Sequence, residues 1–60
     1  MKKYNVYIID IEGIATLIGK NLRFGVAYIK VKNTDRKLKG TLNISTMVEV
    51  GSKEDLIYSK

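Results

Sequence analysis

Residues 25–44 read GVAYIKVKNTDRKLKGTLNI and carry most of the information about the fold. Two runs of alternating character, 25–32 and 37–44, flank a polar segment at residues 33–36. Alternation with a period of two is typical of half-buried β-strands, and a polar segment between two such runs is typical of a turn. We therefore predict a β-hairpin here, with Val31 paired with Leu38.

The two faces of this predicted hairpin differ in character. The face expected to point into the core holds apolar residues and glycines: Gly25, Ala27, Ile29, Val31, Leu38, Gly40, Leu42 and Ile44. The opposite face holds all four lysines of the segment. A slip of one residue would exchange the two faces, so their separation favours this register. Gly40, inside the second strand, is expected to mark a bend.

The preceding segment favours a second hairpin. Residues 4–11 are apolar and rich in β-branched side chains, residues 12–13 are a plausible two-residue turn, and residues 14–18 would return antiparallel. A helix over residues 11–22 also fits the apolar spacing, with Asp10 as its N-cap. Two glycines and the many β-branched residues disfavour that helix.

Both faces of this first hairpin are apolar. The two-residue turn pairs Ile9 with Thr16 and Tyr7 with Ile18, and a strand that is apolar on both sides must be covered on both sides. Either the core and the C-terminal turn cover one face each, or a second subunit covers one of them. The sequence favours a homo-oligomer with Tyr7, Ile9 and Ile11 in its interface.

The C-terminal residues predict one more strand and a short helical turn. Residues 47–50 are strand-like, and Gly51 ends them. Ser52, followed three residues later by Asp55, matches a helix N-cap pattern, and residues 56–58 would follow as one helical turn or as a short closing strand. With both hairpins, this predicts a mostly β fold in a single domain over residues 1–60. The expected architecture is a five-stranded antiparallel barrel of the SH3-like or OB-like type, or a strongly bent sheet.

Residues 31–42 followed by Met47 resemble the first motif of Sm-like RNA-binding proteins. In that family a strand, a polar turn and a strand with an internal glycine are followed by further strands. The second motif of the family, with its Arg-Gly pair, has no counterpart downstream. The resemblance therefore implies a bent five-stranded sheet and transfers no RNA-binding residue.

The composition excludes several classes of function. The chain has no Cys and no His, which removes disulfides, thiol nucleophiles, imidazole bases and the usual zinc ligands. Its six acidic residues form no acid/base dyad, so we expect no enzymatic activity, no cofactor and no metal. No apolar run approaches the ~20 residues of a membrane span, and no secretory segment is recognisable, so we expect a cytoplasmic protein without a membrane partner.

The basic residues carry the functional prediction. Eleven basic and six acidic residues give a net charge of +5. The predicted hairpin places Lys30 opposite Lys39 and Lys32 opposite Lys37, although like charges opposed across strands destabilise a sheet. Such a face, flanked by aromatic rings, is typical of a surface that follows phosphates and stacks bases. The predicted nucleic-acid-binding residues are Lys30, Lys32, Lys37, Lys39, Tyr28 and Phe24, with Arg36 and Lys20 as outlying contacts.

The function predicted from the sequence is therefore non-catalytic binding of nucleic acid, either DNA or RNA, through a basic sheet face. The alternative is a small inhibitor or adaptor of the phage or plasmid type that binds another protein, with an acidic protein as the partner. A structural subunit and a plain solubility face are two further interpretations of the same lysines.

Overall fold

The computed structural model of the chain describes residues 1–60 and contains three strands and two helices. In chain order the elements are β1 (Tyr4–Ile9), β2 (Ala15–Leu22), α1 (Phe24–Leu38), β3 (Ile44–Glu49) and α2 (Lys53–Tyr58). The strands form an open sheet in the order β2-β1-β3, and both pairings are antiparallel. The fold is mixed α/β, so the predicted five-stranded SH3-like or OB-like barrel is wrong.

The first hairpin is confirmed, and the alternative helix over residues 11–22 does not form. The loop that joins β1 to β2 is longer than the predicted two-residue turn because the Asp10 side chain organises it. A carboxylate oxygen of Asp10 accepts from the backbone N–H groups of Glu12 and Ile14 at 2.9 and 3.0 Å. Gly13, with a φ of +84°, takes the left-handed conformation that the loop needs.

The longer loop shifts the register by one residue. Ile9 pairs with Ala15, where Thr16 was predicted, and Tyr7 pairs with Leu17. Since side chains alternate between the two sides of a strand, the shift moves Ala15 and Leu17 onto the side that bears Tyr7.

The prediction of a second hairpin is wrong, because residues 24–38 form the single helix α1. Its inward side chains recur with helical spacing, and they are Ala27, Val31, Thr34 and Leu38. Ile29 and Leu42, which were predicted to point inward, are 60% and 74% exposed. Gly40 marks the end of the helix: it has a φ of +89°, and the next residue donates its backbone N–H to the Leu38 carbonyl at 2.9 Å.

The strand predicted near residues 47–50 is confirmed as β3, although it begins earlier, at Ile44. It pairs with β1 on the edge opposite β2. Ser45 joins this strand to α1, since its Oγ donates to the Val31 carbonyl at 3.1 Å and also contacts the Asp35 carboxylate. The helix α1 therefore covers the side of the sheet that bears Ser45 and its neighbour Ile8 in β1.

The other side of the sheet is partly covered by α2, which confirms the predicted C-terminal helical turn. Its N-cap is Ser52, whose Oγ accepts from the Asp55 backbone N–H at 3.3 Å. The apolar core is small and consists of Val6, Tyr7, Ala27 and Val48. The strand β1 is thus covered by α1 on one side, and α2 covers its other side at Asn5 and Tyr7. Neither helix has the length and apolar content needed to cross a bilayer.

Candidate functional site

Seven of the eight predicted nucleic-acid-binding residues lie on α1 or at its C-cap, and only Lys20 lies elsewhere, on β2. The predicted sheet face does not exist, so Lys30 and Lys39 do not face each other across strands. They lie nine residues apart along the helix, a rise of about 14 Å. The structure therefore brings the predicted residues together, but on a helix.

Four of these residues form a row along α1 with a spacing of four. Phe24 and Tyr28 stack with their ring centroids 6.2 Å apart and their planes inclined by 14°. The Lys32 Nζ lies 5.3 Å from the centroid of the Tyr28 ring, and Arg36 is one turn further on. The Tyr28 ring thus interacts with Phe24 on one side and with Lys32 on the other. It is not an open platform on which a base could stack.

The cations of α1 have no acidic partner. The only ion pair in the molecule joins Lys2 to Glu49, at 3.8 Å. The single acid in α1 is Asp35, whose Oδ1 accepts from the backbone N–H of Ser45 at 3.2 Å and from its hydroxyl. The charge of Asp35 is therefore directed toward β3, and the outer surface of α1 is positive.

Three of the basic residues also have a structural role. Arg36 and Lys37 lie in the last turn of α1, where a cation stabilises the negative end of the helix dipole. Lys30 is half-buried, and its stem fills the space over Gly19 of β2: a Cβ built there would lie 2.9 Å from the Lys30 Cδ. Lys30 therefore has less freedom than the exposed Lys32.

The N-terminal half of α1 exposes large apolar side chains. Three of them, Phe24, Val26 and Tyr28, were also outward in the predicted hairpin, but Ile29 was predicted to point inward. The exposed fractions lie between 48% and 60% for Phe24, Val26, Tyr28 and Ile29. The helix surface therefore has an apolar, aromatic half followed by a basic half. Helical periodicity would have found this arrangement if residues 25–38 had been assigned to a helix.

A buried polar cluster under α2 was missed by the sequence analysis. Asp55 is only 6% exposed, and its Oδ1 accepts from the Asn5 amide at 2.8 Å and from the Tyr7 hydroxyl at 2.7 Å. Its Oδ2 accepts from the Gly51 backbone N–H at 2.9 Å. The Asn5 Oδ1 in turn accepts from the backbone N–H of Asn21 at 2.8 Å, which connects the cluster to β2.

These hydrogen bonds determine the protonation of the cluster. The Gly51 N–H, followed by the Asn5 amide and the Tyr7 hydroxyl, lowers the pKa of Asp55. Burial, followed by the hydrogen bond to Asp55 and its charge, raises the pKa of Tyr7. Asp55 is therefore a carboxylate and Tyr7 a neutral phenol at neutral pH. Both carboxylate oxygens already have partners, so the cluster holds α2 against the sheet and has no free group for acid/base chemistry.

The three residues predicted for an oligomer interface differ in their exposure to solvent. Tyr7 is 2% exposed and packs against Tyr58 of α2, with the ring centroids 5.4 Å apart. Ile9 is half-buried, and Ile11 lies exposed in the loop between β1 and β2. The monomer therefore uses Tyr7 in its own core and leaves no access to it for a second subunit.

Comparison of the chain with protein-family models, with curated proteins and with solved structures finds no match. The structure also departs from the Sm-like pattern, since residues 31–38 belong to α1 and do not form the strand and turn of that motif.

Proposed function

We propose that this is a non-catalytic, cytoplasmic nucleic-acid-binding protein that contacts phosphates through α1. The observation that carries the proposal is the concentration of unpaired cations on one exposed helix. The ten positions from 30 to 39, which end at the C-cap, contain five of them: Lys30, Lys32, Arg36, Lys37 and Lys39. The one acid among them is engaged by β3.

The shape of the surface favours duplex DNA. A helix of 15 residues is about 22 Å long and fits the major groove of B-form DNA, whereas the major groove of A-form RNA is too narrow to admit it. Lys30 and Lys37 are seven residues apart and share one flank of α1, and Lys32 lies on the other flank. Cations on both flanks can reach the phosphates on both sides of a groove.

Lysines outnumber arginines in this helix, and a lysine ammonium acts as a point charge without the two-pronged geometry that reads guanine. We therefore propose binding that depends little on base sequence. Since Tyr28 is already engaged within its row, stacking on single strands contributes less than phosphate contacts.

The test is a titration of duplex DNA by fluorescence anisotropy at increasing salt. One phosphate contact from each of the four lysines, Lys30, Lys32, Lys37 and Lys39, predicts a slope of about −3 to −4 in a plot of log affinity against log salt concentration. Lys32→Gln and Lys37→Gln are each expected to reduce the steepness by about one unit. Lys53→Gln is the matched control, because it removes the same charge from α2. Absence of binding at low salt, or an equal effect of the control, would contradict the proposal.

The second candidate function is binding of an acidic protein as an inhibitor or adaptor. The observation that favours it is the exposure of four large apolar side chains at the start of α1, next to the cations. A protein interface would lose most affinity on Phe24→Ala or Tyr28→Ala, with a shallower salt dependence. Capture of partners from a native extract with and without nuclease separates the two functions, since only a protein partner survives the nuclease.

A further inference from the structure

The side of the sheet that faces α2 has an uncovered half. In the strand register, Ile9, Ala15, Leu17, Ile44 and Thr46 share the side of Tyr7 and lie toward the loop between β1 and β2. The short helix α2 leaves part of this surface open, since Leu17 is 46% and Ile44 is 58% exposed. We call Ile9, Ala15, Leu17, Ile44 and Thr46 the open half-sheet.

The open half-sheet continues onto α2 and onto the loop. Ile57 of α2 lines a shallow depression together with Ala15 and its neighbour Ile14. Both Ile14 and Ile57 are exposed to the same degree as Ile44. The apolar surface is therefore contiguous across the sheet, the loop and the helix, and surfaces of this kind mark contact sites on soluble chains.

The distribution of charge indicates what covers this surface. None of the five residues of the open half-sheet is charged, although the chain carries +5. The cations of α1 lie on the opposite side of the sheet. Two copies that meet through the open half-sheet keep their two α1 helices on the outside, where like charges are far apart. An anionic partner, by contrast, would meet only one cation near this surface, Lys60, which lines the depression beside Ile57, whereas α1 offers it several.

We propose that a second copy of this chain covers the open half-sheet, so that two sheets pack through their α2 sides. A two-fold contact places the same surface on both partners, and the five uncharged residues of the open half-sheet would then oppose no like charges. The broad face of the molecule measures 35 by 24 Å, so the ~800 Å² that each partner contributes to a standard interface would extend from the open half-sheet over Ile14, Ile57 and most of the rest of this face. This inference does not depend on nucleic-acid binding.

The test is sedimentation equilibrium of the full chain over a wide range of concentrations, with two matched variants. Ile44 and Ile29 are 58% and 60% exposed, and they lie on opposite sides of the molecule. We expect the wild type to form a dimer in a concentration-dependent way. Ile44→Lys should raise the dimer dissociation constant by more than about tenfold, because it places two like charges in the interface. Ile29→Lys adds the same charge and should leave the constant nearly unchanged.

A second measurement does not depend on the folding of the variants. Amide chemical shifts of the wild type, recorded from dilute to concentrated solution, should move at Leu17 and Ile44 and stay constant at Ile29. A monomer at all concentrations, equal weakening by both variants, or shifts confined to α1 would each overturn the proposal.

Discussion

Asp55 is a buried carboxylate that is neutralised by no cation and held by three hydrogen bonds. Because these donors lower its pKa in the folded state, its contribution to stability is complete above the pKa of the unfolded chain, about 4. That contribution is lost as the pH falls through the lower, folded value. We expect urea titrations to show a free energy of unfolding that decreases below about pH 4. The decrease should be smaller in Asp55→Asn, which is less stable at neutral pH.

The Tyr7 hydroxyl, which donates to Asp55, allows a second test of whether the hydrogen bonds of this cluster stabilise the fold. Tyr7→Phe removes one donor and leaves a buried carboxylate oxygen with one hydrogen bond fewer, which should lower the free energy of unfolding by about 1–3 kcal/mol. Tyr58→Phe is the control, because that ring packs against Tyr7 but its hydroxyl has no hydrogen-bond partner. Equal losses in the two variants would show that ring packing, and not the hydrogen bond, holds α2.

At the scale of the element, substitution of Gly25 and Gly40 tests where the helix α1 begins and ends. Gly40 has a φ of +89° beyond the end of the helix, so Gly40→Ala should cost about 1 kcal/mol of stability. Gly25 lies in the first turn of the helix with open space around it, so Gly25→Ala should stabilise by about 0.4–1 kcal/mol. Thermal unfolding measures both changes. Two losses of equal size would contradict a helix at residue 25.

The elements that the sequence predicted correctly are those with a strong local signal. The apolar run before Asp10 located the first hairpin, and the spacing of Ser52 and Asp55 located the cap of α2. The helix α1 lacks such signals: its N-cap, Arg23, provides no side-chain hydrogen bond, and its first turn contains no acid. Its β-branched residues favour a strand in isolation, and packing of Ala27 against the sheet overrides that preference.

The sequence indicated which basic residues belong to the candidate site, but it did not predict how they are arranged in space. The basic residues between 30 and 39 were singled out on a hairpin face, and they stay together on α1 because they are close in the sequence. The pairing of Lys30 with Lys39 depended on strand register and failed with it. The cluster around Asp55 could not be predicted, since Asn5 and Asp55 are fifty residues apart and meet only in the folded chain.

For the molecule as a whole, stability is concentrated in very few side chains. A chain of this size has roughly 3–9 kcal/mol in total. Val6 is completely buried, so Val6→Ala should lower the free energy of unfolding by roughly 2 kcal/mol. Ile29→Ala should change it by less than about 0.5 kcal/mol, because most of that side chain is already in water. Denaturant curves that respond equally to both would reverse this assignment of the core.

The central position of β1 has a consequence for the order of folding. Its pairing with β2 is local, but its pairing with β3 joins residues 35 to 45 positions apart. Local hairpins and helices form in microseconds, whereas distant pairing must first overcome the entropy of closing a long loop. Until β3 arrives, one edge of β1 has unpaired backbone groups that another chain can occupy. The time needed to bring β3 into place therefore sets the interval in which nascent chains can mispair.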